Sequence, residues 1–234
     1  MNAIKRFQII AQPTETTCGP TCLHAVCHHW GDDFPLETII GSIEENEDGG
    51  TFSVVLANLA LRRGYEATIY SYNTRVFDPT WNDLHAASLQ DKLAQRLKVV
   101  SSRRAKTNLS AYIEFLDLGG NVRFDELSTP LLARLLANRS PIIAGLSATH
   151  LYRSSRVRRN GKDDDVGGDP EGHFVVLFDY DKTRDEVLVA DPYRRNPLSE
   201  SRQYAIDTQR LINAVMLGIL TYDANLLIIE PTRS

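Results

Sequence analysis

The chain has 234 residues, of which 42% are hydrophobic, and its formal net charge at pH 7 is −4. This length and apolar content allow a sizeable buried core and exclude a disordered or fibrous protein. The weak negative charge excludes a surface that would attract a polyanion, so we expect neither a nucleic-acid nor a membrane partner. The apolar stretch at the N-terminus is too short for a secretory signal, and no later stretch reaches membrane-spanning length. The sequence therefore predicts a cytoplasmic protein.

Helical spacing dominates the first part of the chain. A helix is predicted to begin at Cys18, where Thr16 and Thr17 can supply cap oxygens, and to stop at Gly31. A strand is predicted over 65–72. The remaining predictions here are helices over 36–44 and 52–63 and a helical region over about 78–118, with a turn at Asp48-Gly49-Gly50.

Strand patterns dominate the second part, after a helix that starts at Thr129-Pro130. The predicted elements are strands at 141–146, 173–179, 187–190 and 226–230, with a helix near 207–220. Helices followed by strands predict an α+β fold with an antiparallel or mixed sheet. No long linker is present, so we expect a single domain over 1–234, with a helical part at about 1–140 and a sheet-rich part at about 141–234.

The segment 150–172 is strongly charged: basic residues come first, acidic residues follow, and glycines lie between them. Such a run cannot bury an apolar face, so we expect an exposed loop. It is either a solvated excursion or a lid, since it ends beside His173. The acidic run Asp163-Asp164-Asp165 lacks the alternating ligands and distal glutamate of a helix-loop-helix calcium site. We therefore predict no metal there.

Three cysteines, at 18, 22 and 27, lie on the first predicted helix. An odd number on one helix makes no disulfide framework and is typical of a reducing compartment. Cys18 has the helix N-terminus, whose dipole favours the thiolate, which is the reactive form of a thiol. Cys22 and Cys27 are predicted to be core residues.

Three further residues complete a candidate catalytic site around Cys18. Gln12, six residues upstream, can direct its amide toward a developing oxyanion, together with the backbone N–H of Cys18. His173 opens a strand and is the candidate base, and Asp191, before Pro192, can accept its second ring hydrogen. The alternatives are His150 as the base and Asn196 as the orienting residue.

The stretch from Gln12 to Leu23, with His173-Phe-Val-Val and Asp191-Pro192, resembles the bacteriocin-processing, double-glycine leader peptidases of the papain-like superfamily. The resemblance implies a papain-like fold and a thiol hydrolase that cleaves a peptide or other amide without a metal or cofactor. In that family the glutamine forms the oxyanion hole, the cysteine is the nucleophile, the histidine opens a strand and the aspartate orients it. The best-known members are domains of peptide exporters, whereas we expect this chain to be a free-standing member.

Three alternatives remain open. The same site can transfer its acyl group to an amine instead of water, as transglutaminase-like relatives do, because the outcome depends on water exclusion. The chain can also be an inactive peptide-binding module. A zinc site would use the three cysteines with the histidines of the same helix, but one helix cannot wrap four ligands around an ion. The histidines concerned are His24, His28 and His29. No oligomeric state is predicted.

Overall fold

A mixed seven-stranded sheet forms the centre of the computed structural model, which describes residues 7–43, 50–221 and 224–232. The strands are β1 (Tyr65–Ser71), β2 (Asn121–Arg123), β3 (Ile142–Ser147), β4 (Gly172–Asp181), β5 (Glu186–Ala190), β6 (Gln203–Asp207) and β7 (Asn225–Pro231). Their order across the sheet is β2-β1-β7-β3-β4-β5-β6. Neighbouring strands are antiparallel except for β1 and β2, which are parallel.

Helices cover both faces of this sheet. They are α1 (Cys18–His29), α2 (Leu36–Gly41), α3 (Ser53–Arg62), α4 (Ala86–Val99), α5 (Arg103–Asp117), α6 (Thr129–Ala137), α7 (Ala148–Tyr152) and α8 (Thr208–Leu217). Short 3₁₀ turns lie at Pro79–Trp81 and Gly218–Thr221. Gly31, with φ of +81°, turns the chain out of α1, as the sequence predicts, because only glycine adopts this conformation without strain.

The sheet separates two hydrophobic clusters because successive strand residues point to opposite faces. On β4, Phe174 and Val176 belong to the cluster that includes the buried residues of α1, α3 and α5. Val175 and Leu177 belong to the other cluster, with residues of α6 and α8. Central strands are therefore buried on both sides, and β3 has no exposed residue.

Most predicted elements are confirmed, although several boundaries differ. The helical region at 78–118 divides into α4 and α5, and the helical part also contributes β1 and β2 to the sheet. The sequence did not predict β2, β6 or α7, which are short and have weak periodicity. Glu44 and the predicted turn residues Asp48 and Gly49 lie outside the described residues.

The charged segment 150–172 begins within α7 and ends at β4. Isolated bridges join Val157 to Asp163 and to Asp169. The Asp164 carboxylate accepts backbone hydrogen bonds from Val166 at 2.9 Å and Gly167 at 2.7 Å. The predicted exposed loop is thus present and internally hydrogen-bonded, while its function as a lid stays a prediction. Of the helices that the structure describes, none has the length and apolar character needed to cross a membrane.

Candidate active site

Cys18 is the first residue of α1 and its side chain is partly exposed. Its neighbour Gly19 allows this helix end to pack closely against the sheet. A Cβ atom at Gly19 would lie 2.8 Å from Thr51 Cγ2 and 3.2 Å from both Leu56 Cδ1 and Phe174 Cδ2. The glycine after the cysteine is therefore required by packing, since contacts this short force neighbouring atoms to move.

A hydrogen-bonded turn precedes Cys18 and fixes the entry into α1. Thr17 is the N-cap residue, but its side chain makes no cap hydrogen bond. Its Oγ1 instead donates to the Thr14 carbonyl and accepts from the Thr14 N–H, each at 3.0 Å. The prediction that Thr17 caps the helix through its hydroxyl is therefore wrong. The helix N-terminus leaves backbone N–H groups available beside the thiol, as helix ends generally do.

His173 lies at the start of β4 and its ring bonds to groups on two sides. Nε2 pairs with Asp191 Oδ1 at 2.9 Å, and the Cys18 side chain forms a hydrogen bond with the same ring. Because Nε2 is occupied by Asp191, Nδ1 is the ring nitrogen that is left for the thiol. Burial alone would lower the pKa of His173, but the Asp191 carboxylate and the Cys18 contact raise it to about 10. The ring is therefore held as imidazolium.

Asp191 follows β5 and is fully buried. Besides His173, Oδ1 accepts the Tyr193 N–H at 2.8 Å. Oδ2 accepts the hydroxyls of Tyr152 at 2.7 Å and Tyr204 at 2.8 Å. Burial would raise the pKa of Asp191, but His173 and these donors lower it, so the residue is a carboxylate. Neither tyrosine was predicted from the sequence, because they lie on α7 and β6, two short elements without a clear sequence pattern.

Gln12 is tied to the same region by its backbone, whose N–H donates to the Pro192 carbonyl at 3.0 Å. Its side-chain Nε2 donates to the Thr14 carbonyl at 2.9 Å. This bond fixes the orientation of the amide, because the opposite orientation would set two carbonyl oxygens against each other. One hydrogen of Nε2 is left for another acceptor. The structure thus links Gln12 to the segments of both Cys18 and Asp191.

The competing thiols lie in the core, as predicted. Cys22 and Cys27 are fully buried. Burial, followed by the nearby Cys18 and Asp191, raises the pKa of Cys22, and burial raises that of Cys27 to about 12. Both therefore remain neutral thiols and are poor nucleophiles.

The alternatives to His173 and Asp191 make other contacts. His150 lies inside α7, and in the part of the chain that the structure describes it is His173 that contacts both Cys18 and Asp191. Asn196 is buried, but its amide binds the carbonyls of Tyr193 and Ser201, each at 3.3 Å. Asn196 therefore stabilises the loop after Asp191.

A zinc site on α1 is not supported. Across residues 7–43, 50–221 and 224–232, no group of three or more His, Cys, Asp or Glu side chains is arranged to hold a metal ion. His24 and His28 instead line a cavity of about 670 Å³ whose lining does not include the cysteines. The His28 Nε2 pairs with Gln8 Oε1 at 3.0 Å.

Comparisons with known proteins agree with this architecture. The sequence model of the Peptidase_C39 like family matches residues 4–214. The structure is similar to that of a C39-like peptidase from Bacillus anthracis, with a TM-score of 0.51 at 13% identity, covering 97% of this chain and 96% of that one. The shared fold confirms the predicted papain-like α+β class.

Two further solved structures show weaker likeness. One is xylellain, a cysteine protease from Xylella fastidiosa, with a TM-score of 0.46 and 14% identity over 98% of this chain and 85% of that one. The other is the peptidase domain of Streptococcus ComA, a bifunctional ABC transporter. It has a TM-score of 0.46 and 12% identity, covering 97% of this chain and 100% of that one. Among curated proteins, no sequence matches this chain.

Proposed function

Because the chain belongs to the Peptidase_C39 like family, we propose that it is a cysteine peptidase that hydrolyses a peptide or another amide bond. One observation carries this proposal: the His173 ring contacts the Cys18 side chain and lies 2.9 Å from Asp191 Oδ1. An imidazole between a thiol and a carboxylate can take up the thiol proton and return it to a leaving group.

In the proposed reaction the Cys18 thiolate attacks the amide carbon. The resulting oxyanion accepts hydrogen bonds from the Cys18 N–H and the Gln12 amide. The His173 imidazolium then gives its proton to the departing amine as the carbon–nitrogen bond breaks, leaving a thioester on Cys18. His173 next removes a proton from water, whose oxygen attacks the thioester carbon. The carbon–sulfur bond then breaks and the acid is released, while the proton stays on His173, so that the starting thiolate–imidazolium pair is restored.

The charges around the site support this sequence of steps. The raised pKa of His173 favours the imidazolium, and Cys18 lies at the positive end of α1, so we propose a thiolate–imidazolium pair as the resting state. Asp191 does not touch the substrate and acts through His173, whose ring it orients. The proposal assigns the reaction to side chains of this chain without a cofactor.

We propose a cytoplasmic location, because three thiols on one helix are typical of a protein in a reducing compartment. We propose a single catalytic domain over 1–234, because one sheet carries residues from both the helical and the sheet-rich part. The substrate class is a peptide or other amide, as expected of a peptidase family.

The test is incubation of the purified protein with a pooled peptide library, with new N-termini identified by mass spectrometry. We expect Cys18→Ala and His173→Ala each to abolish the new termini while the circular dichroism spectrum is unchanged. Cys27→Ala, a buried thiol on the same helix, is the matched control and should keep activity. Undiminished cleavage by Cys18→Ala would overturn the proposal. An inactive binding module would give no new termini and would bind peptide equally well as Cys18→Ser.

A further inference from the structure

Two tyrosines from separate elements converge on one oxygen of Asp191. Tyr152 ends α7 and Tyr204 lies in β6, and their hydroxyls donate to Oδ2 at 2.7 and 2.8 Å. Oδ1 accepts from His173 Nε2 at 2.9 Å and from the Tyr193 N–H at 2.8 Å. Each carboxylate oxygen therefore has two donors, although no part of Asp191 is exposed to solvent.

We propose that Tyr152 and Tyr204 are positioning residues, whose hydroxyls hold the Asp191 carboxylate in the orientation that aligns His173 with Cys18. This inference rests on the proposed function, because it concerns the same pair. The two donors on Oδ2 oppose rotation of the carboxylate, so that Oδ1 stays directed at the His173 ring.

The electrostatic reason is the cost of a buried carboxylate. An ionised group removed from water is unstable unless its lone pairs are hydrogen-bonded. Phenols meet this need without adding a charge that would compete with His173 for Asp191. Burial first, and then the Asp191 charge, raises the pKa of both Tyr152 and Tyr204, so both remain protonated donors.

Packing and hydrogen bonding can be separated at these positions. The Tyr152 ring centroid lies 6.0 Å from that of His173, and phenylalanine keeps this ring while removing the hydroxyl. The Tyr193 ring meets His173 edge-on at 6.2 Å, so the histidine also has an aromatic neighbour that the substitutions leave intact. The titratable groups that act on His173 or Asp191 from the surrounding elements are Cys18, Cys22, Tyr152, Glu171 and Tyr204.

Loss of the hydroxyls has a defined consequence for the thiol. Without its donors, Oδ2 is a buried oxygen with no partner, so Asp191 holds a proton more tightly or turns away from His173. The imidazolium is then less stable, and Cys18 is less reactive toward an alkylating reagent at a given pH. A single substitution leaves one phenol in place, so the double substitution has the larger effect.

The test measures the rate of Cys18 alkylation by iodoacetamide against pH, with the site of modification located by tandem mass spectrometry. Tyr152→Phe/Tyr204→Phe should move the midpoint upward by about one pH unit, which is about a tenfold slower reaction below the midpoint. Each single variant should slow the alkylation of Cys18 below the midpoint by about threefold. Tyr180→Phe is the matched control, because the Tyr180 hydroxyl pairs with an exposed aspartate, Asp185, at 2.9 Å. It should leave the profile unchanged.

The same tyrosine substitutions made in an Asp191→Asn protein separate the positioning role from a general effect on the structure. In Asp191→Asn the tyrosine substitutions should cause no further shift, since they act through the carboxylate. An unchanged profile in both single variants, or an equal shift in the Asp191→Asn background, would overturn the inference. The single variants decide the question if the double variant does not fold.

His173→Ala in the same assay separates this inference from the proposed function. If the profile does not depend on His173, the proposed ion pair is wrong and the inference falls with it. If the profile depends on His173 but not on the tyrosines, only the positioning role is wrong.

Discussion

The Cys22 thiol donates a hydrogen bond to the backbone carbonyl of Phe174 at 3.3 Å. Cys22 lies one turn after Cys18 on α1, and Phe174 directly follows His173 on β4. This buried contact therefore joins the helix that carries the proposed nucleophile to the strand that carries the proposed base. A cysteine fits here because it is a small hydrophobic residue with a weak donor.

Cys22→Ala should therefore affect the site as well as stability. We expect a loss of about 1 kcal/mol in the free energy of unfolding, together with slower alkylation of Cys18, since the link between α1 and β4 is removed. Cys27→Ala removes an equally buried thiol from α1 and should lower stability without changing Cys18 reactivity. Urea unfolding and alkylation rates measure the two effects. Equal alkylation rates in both variants would contradict the role of this contact.

Gly19→Ala should be destabilising by about 1–3 kcal/mol, because the new methyl group overlaps Thr51, Leu56 and Phe174. Gly41→Ala is the control. Gly41 also lies in a helix, α2, but a Cβ atom added there would have no other atom within 4 Å. It should be neutral or stabilising by up to about 1 kcal/mol, as expected for alanine in a helix. Thermal unfolding of the two variants compares them directly, and similar melting temperatures would show that the space around Gly19 is not limiting.

Gln12→Ala should reduce kcat by about a hundredfold or more with little change in KM, because the amide acts on the oxyanion and not on the bound substrate. Gln8→Ala is a matched control on the same segment, since Gln8 is exposed and pairs with His28. Steady-state kinetics on a peptide identified from the library measures both. A pure increase in KM for Gln12→Ala would assign the residue to substrate binding.

The raised pKa of His173 predicts a pH dependence of stability. A folded-state pKa of about 10, above the unfolded value of about 6.5, gives stabilisation that is complete below pH 6.5 and is lost as pH rises through 10. The lowered pKa of Asp191 acts in the opposite direction at acid pH, outside this window.

We expect His173→Gln to flatten the fall in unfolding free energy between pH 6.5 and 10. Both proteins should carry Cys18→Ala, so that the difference between them reports on position 173 alone. The Asp191 carboxylate, which is the strongest of the causes that raise the pKa of His173, is kept in both proteins. Urea unfolding at several pH values provides the measurement, and parallel curves for the two proteins would contradict the shift.

Local features predicted most of the fold. The apolar spacing of α1, α3 and α6 is visible in the sequence because helices bury one face, and β3, β4 and β7 are visible as continuous apolar runs because both of their faces are buried. The short elements β2, β6 and α7 were missed, since three to five residues carry too little periodicity. Their formation depends on pairing and packing with distant residues, which no local pattern records.

The helix-cap prediction failed for a related reason. A threonine before a helix commonly caps it, but Thr17 turns its hydroxyl back to Thr14 and leaves the helix N-terminus uncapped by its side chain. Capping the helix and bonding to Thr14 both satisfy the hydrogen-bonding capacity of the Thr17 hydroxyl. The conformation of the surrounding turn decides which of the two forms.

The sequence by itself determined that Cys18 begins a helix, that His173 opens a buried strand and that an aspartate follows the next strand, because each of these is a local pattern of residue types. Only the tertiary structure decided that the three meet and that Tyr152 and Tyr204 complete the hydrogen bonds of Asp191. That arrangement depends on strand order and register, which bring together residues 18, 152, 173, 191 and 204. Contacts between such distant positions are fixed by packing of the whole sheet, and no short stretch of sequence contains that information.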